Sequence, residues 1–151
     1  MPRRFPLQTL LDLTQSHTDA AAGTLHTLKG AWQIAEDKLS QLLQYESDYR
    51  TRLQQASQKG MSVHQIRNFQ QFLVKLEMAI SQQREEVSNC KNRWESGQVE
   101  WQSHKRKLNA YGTLSERHRK NEIKVEARQE QREQDELSGN MHTDRSQQEH
   151  D

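Results

Sequence analysis

Stepping from Leu7 by alternating strides of four and three residues lands on Leu7, Leu11, Thr14, Thr18, Ala21, Leu25, Leu28, Trp32, Ala35, Leu39, Leu42, Glu46, Tyr49, Leu53 and Ala56. Only Thr14, Thr18 and Glu46 in that series are neither apolar nor aromatic, in a chain whose mean hydropathy is −1.17. A stripe repeating every 3.5 residues lies along one side of an α-helix and demands a partner helix along its whole length. A second walk supplies it: Val63, Ile66, Phe69, Leu73, Leu76, Ile80, Gln83, Val87, Cys90, Trp94, Gly97, Trp101, His104, Leu108 and Tyr111. Past Tyr111 the pattern fails.

Between the walks lies SQKGMS, residues 57–62. Gly60 suits the left-handed position after a helix end, and Ser62 with Gln65 has the spacing of a capping box at the start of the next helix. A turn this short joins antiparallel helices. In an antiparallel pair, facing residues have a nearly constant sum of residue numbers, here 118 or 119 from Ala56 and Val63 out to Leu7 and Tyr111. A register shifted by one whole heptad would satisfy the periodicity too, but the short-loop register matches more apolar layers; it sets Leu42 against Leu76, Trp32 against Val87, Leu25 against Trp94 and Leu11 against Leu108. It also puts Gly97 opposite the Ala20-Ala21-Ala22-Gly23 run, which reads as close approach of two backbones rather than a break.

The predicted fold is all-α: a long antiparallel two-helix coiled-coil hairpin with an overhanging C-terminal helix and a disordered tail. Its expected parts are a first helix over 6–57, about 78 Å long at 1.5 Å per residue, a turn over 58–62, and a second helix over 63–136, unpaired beyond about residue 112. Residues 137–151 have no periodicity and are expected to be disordered.

Composition limits what such a hairpin does. The 151 residues are 31% hydrophobic and 28% charged, too polar for a large compact core, and the formal charge of +1 exerts no global pull on nucleic acid or membrane. The opening MPRRFPLQTLLDLTQ is broken by Gln8, Thr9 and Asp12 and does not read as a signal peptide; no apolar run approaches the roughly 18 residues of a membrane span. The single cysteine, Cys90, excludes an internal disulfide and fits a reducing compartment. A cytoplasmic protein is expected.

No catalytic motif is present. HExxH, GxxxxGK[ST] and G-x-S-x-G are all missing, and the six glycines are scattered. No enzyme activity and no cofactor are expected. The seven histidines contain no i, i+4 pair, so no metal site is expected either. Cys90, Trp32, Trp94 and Trp101 fall on the seam and read as packing residues.

Two features exceed the needs of a two-helix seam. NFQQFLVKLEMAI, residues 68–80, carries Phe72, Met78 and Ala79 beside its stripe. In register, Leu42, Tyr45 and Tyr49 come level with Phe72, Leu76 and Ala79, making one broad apolar patch that reads either as a local thickening of the core or as a docking surface for a further protein. The other is a basic block, with Lys105, Arg106, Lys107, Arg117, Arg119 and Lys120 against Glu116 alone over residues 101–120. It reads either as an ordinary solvated face or as a protein-binding surface, and since neither aromatic interleaving nor a DNA-binding fold accompanies it, nucleic acid fits it less well.

The segments LQTLLDL (7–13), LLQYESDYR (42–50) and NFQQFLVKLEMAI (68–80) resemble bacterial flagellar export proteins of the FliJ family, and the resemblance runs from about Leu7 to about Lys120. It implies a cytoplasmic, non-enzymatic coiled-coil stalk of the flagellar type III export apparatus, peripheral to the inner membrane at the flagellar base. The implied partners are the hexameric export ATPase, the cytoplasmic domain of the transmembrane export gate, and export chaperones. Membrane contact would come only through the apparatus. The family's gate-binding positions fall on Leu42, Tyr45, Tyr49, Phe72, Leu76 and Ala79, and the sequence departs from the family at Lys38 and Gln83. The basic block is the expected contact for the ATPase ring. An injectisome stalk or a general coiled-coil export chaperone is the alternative.

Overall fold

No proline occurs after Pro6, so nothing in the covalent chain forces a helix to stop, and the good helix formers Gln, Leu, Glu, Lys and Arg dominate the rest of the chain. The computed structural model describes residues 3–149 and accordingly contains two long helices, α1 (Gln8–Lys59) and α2 (Val63–Gln148), with no strand among the described residues. The two pack together as a helical hairpin.

The turn forms as its residues dictate. Gly60 alone among the described residues has positive φ, at 90°, and its N–H donates to the Ser57 carbonyl at 3.3 Å. A side chain there would strain the backbone, which is why glycine closes α1. Ser62 and Gln65 form the reciprocal capping box: the Gln65 N–H donates to Ser62 Oγ and the Ser62 N–H to Gln65 Oε1, each at 3.2 Å.

By contacts the chain divides into two units, Thr18–Ser103 and the pair of terminal stretches 1–17 and 104–151. In the first, the buried apolar residues are Ala35, Leu76, Ile80 and Cys90, all on the predicted walks. Polar seam residues are satisfied rather than orphaned. Gln83 reaches across to donate to the Ala35 carbonyl at 2.9 Å, and no buried side-chain N or O among the described residues lacks a partner.

The Ala35–Gln83 and Tyr49–Phe69 contacts obey the expected sum rule. Two expectations need correcting. Trp32 meets Trp94, ring centroids 5.2 Å apart, whereas the sum rule pairs Trp32 with Val87 and Trp94 with Leu25. A long indole spans more than one layer and finds its neighbour along the groove. Gly97 does admit a close neighbour, but the neighbour is leucine: a Cβ placed on it would lie 2.9 Å from Leu28 Cδ1 and 3.5 Å from Leu25 Cδ1. Leucine methyl groups fill the space that the alanine run leaves open.

In the second unit Thr14 is buried, its hydroxyl donating to the Leu10 carbonyl of the preceding turn at 2.7 Å. His17 and His104 meet edge to face, centroids 5.9 Å apart. Pairing does not stop near residue 112. The segment before α1 continues it: Phe5 packs on the His118 ring at 5.5 Å, His118 Nε2 donates to the Arg3 carbonyl at 2.9 Å, and the Arg3 N–H donates to Glu122 Oε2 at 3.3 Å. Non-helical residues thus prolong the seam by about three turns of α2.

The helix also continues where a disordered tail was expected. Residues 137–148 belong to α2, while 150 and 151 lie outside the described residues. Once a helix exists, each further residue costs propagation but not nucleation, and no proline intervenes. The residues around Gly139 are held locally, Thr143 Oγ1 donating to the Gly139 carbonyl at 2.8 Å and Ser146 Oγ to the Thr143 carbonyl at 2.9 Å. Every side chain from Ala127 to Glu149 is exposed.

Candidate functional site

The apolar patch stands on the flanks of the seam. In an antiparallel pair, the residues just before the first seam position of each heptad share one flank, and those just after the second share the other. Tyr45, Phe72 and Ala79 precede Glu46, Leu73 and Ile80, so they share a flank. Arg50 and Glu77 come directly after Tyr49 and Leu76, and they do meet on the opposite flank, Nη2 to Oε1 at 2.9 Å. One side of this stretch is therefore aromatic and the other carries an ion pair.

Of the six residues expected to bind a partner, Leu76 is buried and Leu42, Tyr49 and Ala79 are half-buried, while Tyr45 is 65% and Phe72 46% exposed. Tyr49 links the two groups. Its ring lies 5.0 Å from Phe69 in the seam and 4.3 Å from Phe72 on the flank. Aromatic pairs at such distances add about 0.5 to 1.5 kcal/mol beyond burial, so Phe72 is held in place by Tyr49 while nearly half of it faces solvent. Leu42 and Leu76 carry the patch without being its surface. Its most exposed members are Tyr45 and Phe72. Lys38, seven residues before Tyr45, is on the same flank and exposed, whereas Gln83 is occupied with the Ala35 carbonyl.

The basic block fares differently. At about 100° per residue, Lys105, Arg106 and Lys107 point in three directions, so the six residues form no single face. Arg119 is engaged by Glu116 through two hydrogen bonds, Nη2 to Oε1 at 2.6 Å and Nε to Oε2 at 3.2 Å. Those bonds, and then the opposed charge, hold the Glu116 carboxyl below its ordinary range and lift the Arg119 guanidinium above its own. Arg117 and Lys120 remain on a common side. Lys124 and Arg128 extend that side beyond residue 120, a continuation visible in the four-residue spacing but hidden by reading the block as a stretch of sequence.

Cys90 is buried in the seam with Sγ 3.5 Å from Glu86 Oε1. Burial, then the hydrogen bond to Glu86 and its charge, push the thiol above its usual value, which disfavours the reactive thiolate. Among the described residues no three His, Cys, Asp or Glu side chains cluster as a metal site would require, and no helix is long and apolar enough to cross a membrane. The arrangement offers surfaces.

Residues 3–147 match the sequence profile of a family described as the flagellar FliJ protein. The flagellar FliJ protein of Salmonella typhi is 30% identical over 138 residues, 91% of this chain and 94% of the relative. That of Escherichia coli (strain K12) is 31% identical over the same length and shares. With nearly all of both chains aligned and the profile spanning the hairpin, the chain belongs to the flagellar FliJ family.

Proposed function

We propose that the chain is a non-enzymatic stalk of the flagellar type III protein export apparatus, which links the hexameric export ATPase to the cytoplasmic domain of the transmembrane export gate and binds export chaperones. The observation that carries this reading is the exposure of Tyr45 and Phe72 on one flank of the hairpin, opposite the Arg50–Glu77 ion pair. A phenylalanine ring packed on Tyr49 but left half in solvent, with an exposed tyrosine on the same flank, suits a partner that supplies the missing apolar cover. The gate domain takes that patch.

The ATPase ring takes the other end, where α2 runs past the first helix alone. A single helix enters a narrow channel more readily than two, and its charged side chains suit complementary loops of a ring. Exposed contacts of this kind are individually weak and salt-sensitive.

Two variants test the division. Truncation after Gly112 should preserve gate binding in a pulldown and abolish stimulation of ATP turnover by the added protein. Phe72→Ala should do the reverse. Full stimulation by the truncated chain would refute the orientation and make the turn end the part that enters the channel.

A further inference from the structure

A second row runs along α1 beside the seam: Leu10, Leu13, His17, Ala20, Thr24, Thr27, Ala31 and Ile34. Its members recur at three and four residues over about 36 Å. All eight are exposed, Leu10 by 42%, Leu13 by 50% and Ile34 by 60%. In a chain that is 28% charged, the row holds no Asp, Glu, Lys or Arg. On α2 the residues just before each first seam position share this flank, and steps of seven give Glu86, Arg93, Glu100 and Lys107, all exposed, acid and base in alternation. Arg93, Glu100 and Lys107 form no hydrogen bond or ion pair among the described residues.

Both rows are complementary to their own reversal. Along α1, Leu10 is the mirror position of Ile34, Leu13 of Ala31, His17 of Thr27 and Ala20 of Thr24, with Ala22 at the midpoint. Along α2, Glu86 is the mirror position of Lys107 and Arg93 of Glu100, each acid with a base, about the Ser96–Gly97 bond. The facing sum of 118 or 119 sets Ala22 level with Ser96 and Gly97, so the two midpoints coincide. Residues mirrored along one helix never meet within it. They meet when a second copy lies antiparallel across the flank, because a two-fold axis through the shared midpoint brings each row onto its own reversal. A helix of unrelated sequence would cover the α1 row without any need for mirrored charges on α2 at the same height.

We infer that this flank is a two-fold interface between copies of the chain, α1 antiparallel to the second α1 and α2 to the second α2. Leu10 and Leu13 of one copy meet Ile34 and Ala31 of the other at both ends, and the small Ala20 and Thr24 let the backbones come close in the middle. The apolar row supplies the attraction. The exposed charges add little strength but fix the register: sliding the copies by one heptad either way sets Glu100 against Glu100 and Arg93 against Lys107, or Arg93 against Arg93 and Glu86 against Glu100. Tyr45 lies past the end of the α1 row and stays uncovered.

The test is sedimentation equilibrium on the full-length chain, which should show a reversible monomer–dimer equilibrium. Ile34→Glu places a charge at both apolar ends and should weaken dimerisation at least about tenfold, with helicity by circular dichroism unchanged because the side chain is exposed. Arg93→Glu sets acid against Glu100 at two places and should weaken it about tenfold at low salt. Glu100→Arg should do the same, and the two substitutions together should restore the native affinity. Two helical turns separate these residues within one copy, so the restoration can come only from a second. A native chain that stays monomeric at about millimolar concentration overturns the interface, and if Ile34→Glu then abolishes binding to the gate domain, the row belongs to that partner. A dimer that Ile34→Glu leaves intact overturns it as well. A dimer sensitive to Ile34→Glu but indifferent to the charge exchange overturns the antiparallel register.

Discussion

Gly97 in α2 gives the sharpest test of the packing. Replacing glycine by alanine within a helix gains about 0.8 to 1.0 kcal/mol, and at Gly30 of α1, exposed and with nothing within 4 Å of an added Cβ, that gain should appear in full. At Gly97 the new methyl would sit 2.9 Å from Leu28 Cδ1. The obstacle is the end of a flexible side chain, so Leu28 turns aside at a cost of about 0.5 to 1.5 kcal/mol. Gly97→Ala should therefore be close to neutral. In urea unfolding followed by circular dichroism it should fall short of Gly30→Ala by about 0.5 to 1.5 kcal/mol, and the shortfall should vanish when both are repeated in a Leu28→Ala background. If Gly97→Ala stabilises as much as Gly30→Ala with Leu28 intact, or if the gap survives removal of Leu28, the account of this contact is wrong.

Leu76→Ala empties a buried seam position and should cost about 2 to 3 kcal/mol, whereas Phe72→Ala removes a half-exposed ring and should cost about 1 kcal/mol through its lost contact with Tyr49; equal losses in urea unfolding would make Phe72 part of the core. Because the Cys90 thiol is pushed up by burial and Glu86, its contribution to stability is complete below the ordinary thiol range and is lost as pH rises through the raised value. Alkylation at about pH 9, near the usual thiol value, should accordingly be much slower in the folded protein than in urea, and equal rates would contradict the buried placement.

The seam was legible because a heptad pattern has one geometric meaning: every residue of the first walk is buried or half-buried, and on the second only Val63 and Ile66, next to the turn, are exposed. Gly60 and the Ser62–Gln65 box were legible for a similar reason, since local hydrogen bonds need only local sequence. What periodicity could not reveal is how far a side chain reaches. The Trp32–Trp94 contact and the leucine cover over Gly97 depend on rotamers, which facing-pair arithmetic ignores. The embrace of His118 and Glu122 by Arg3 and Phe5 was hidden because those residues are not helical and carry no repeat. At the candidate site, residue type and register set Tyr49 near Phe72, and the two rings do meet, but periodicity does not separate the exposed Tyr45 and Phe72 from the buried Leu76. The basic block misled as a linear stretch, because a helix sorts charges by angle and not by adjacency.

A hairpin with one tight turn also has a preferred order of assembly. The Arg50–Glu77 bridge joins residues 27 apart in the chain, Gln83 and the Ala35 carbonyl 48, and His118 and the Arg3 carbonyl 115. Closing the last loop directly rather than the first costs about 1.3 kcal/mol more in chain entropy, but once the turn is set each later pair closes against one already made. The helices should then zip from Gly60 outwards. The residue with the least side chain becomes the one that governs the folding rate: Gly60→Ala, which strains a φ of 90°, should slow folding more than it hastens unfolding, whereas a defect at the Arg3 clasp should mainly hasten unfolding.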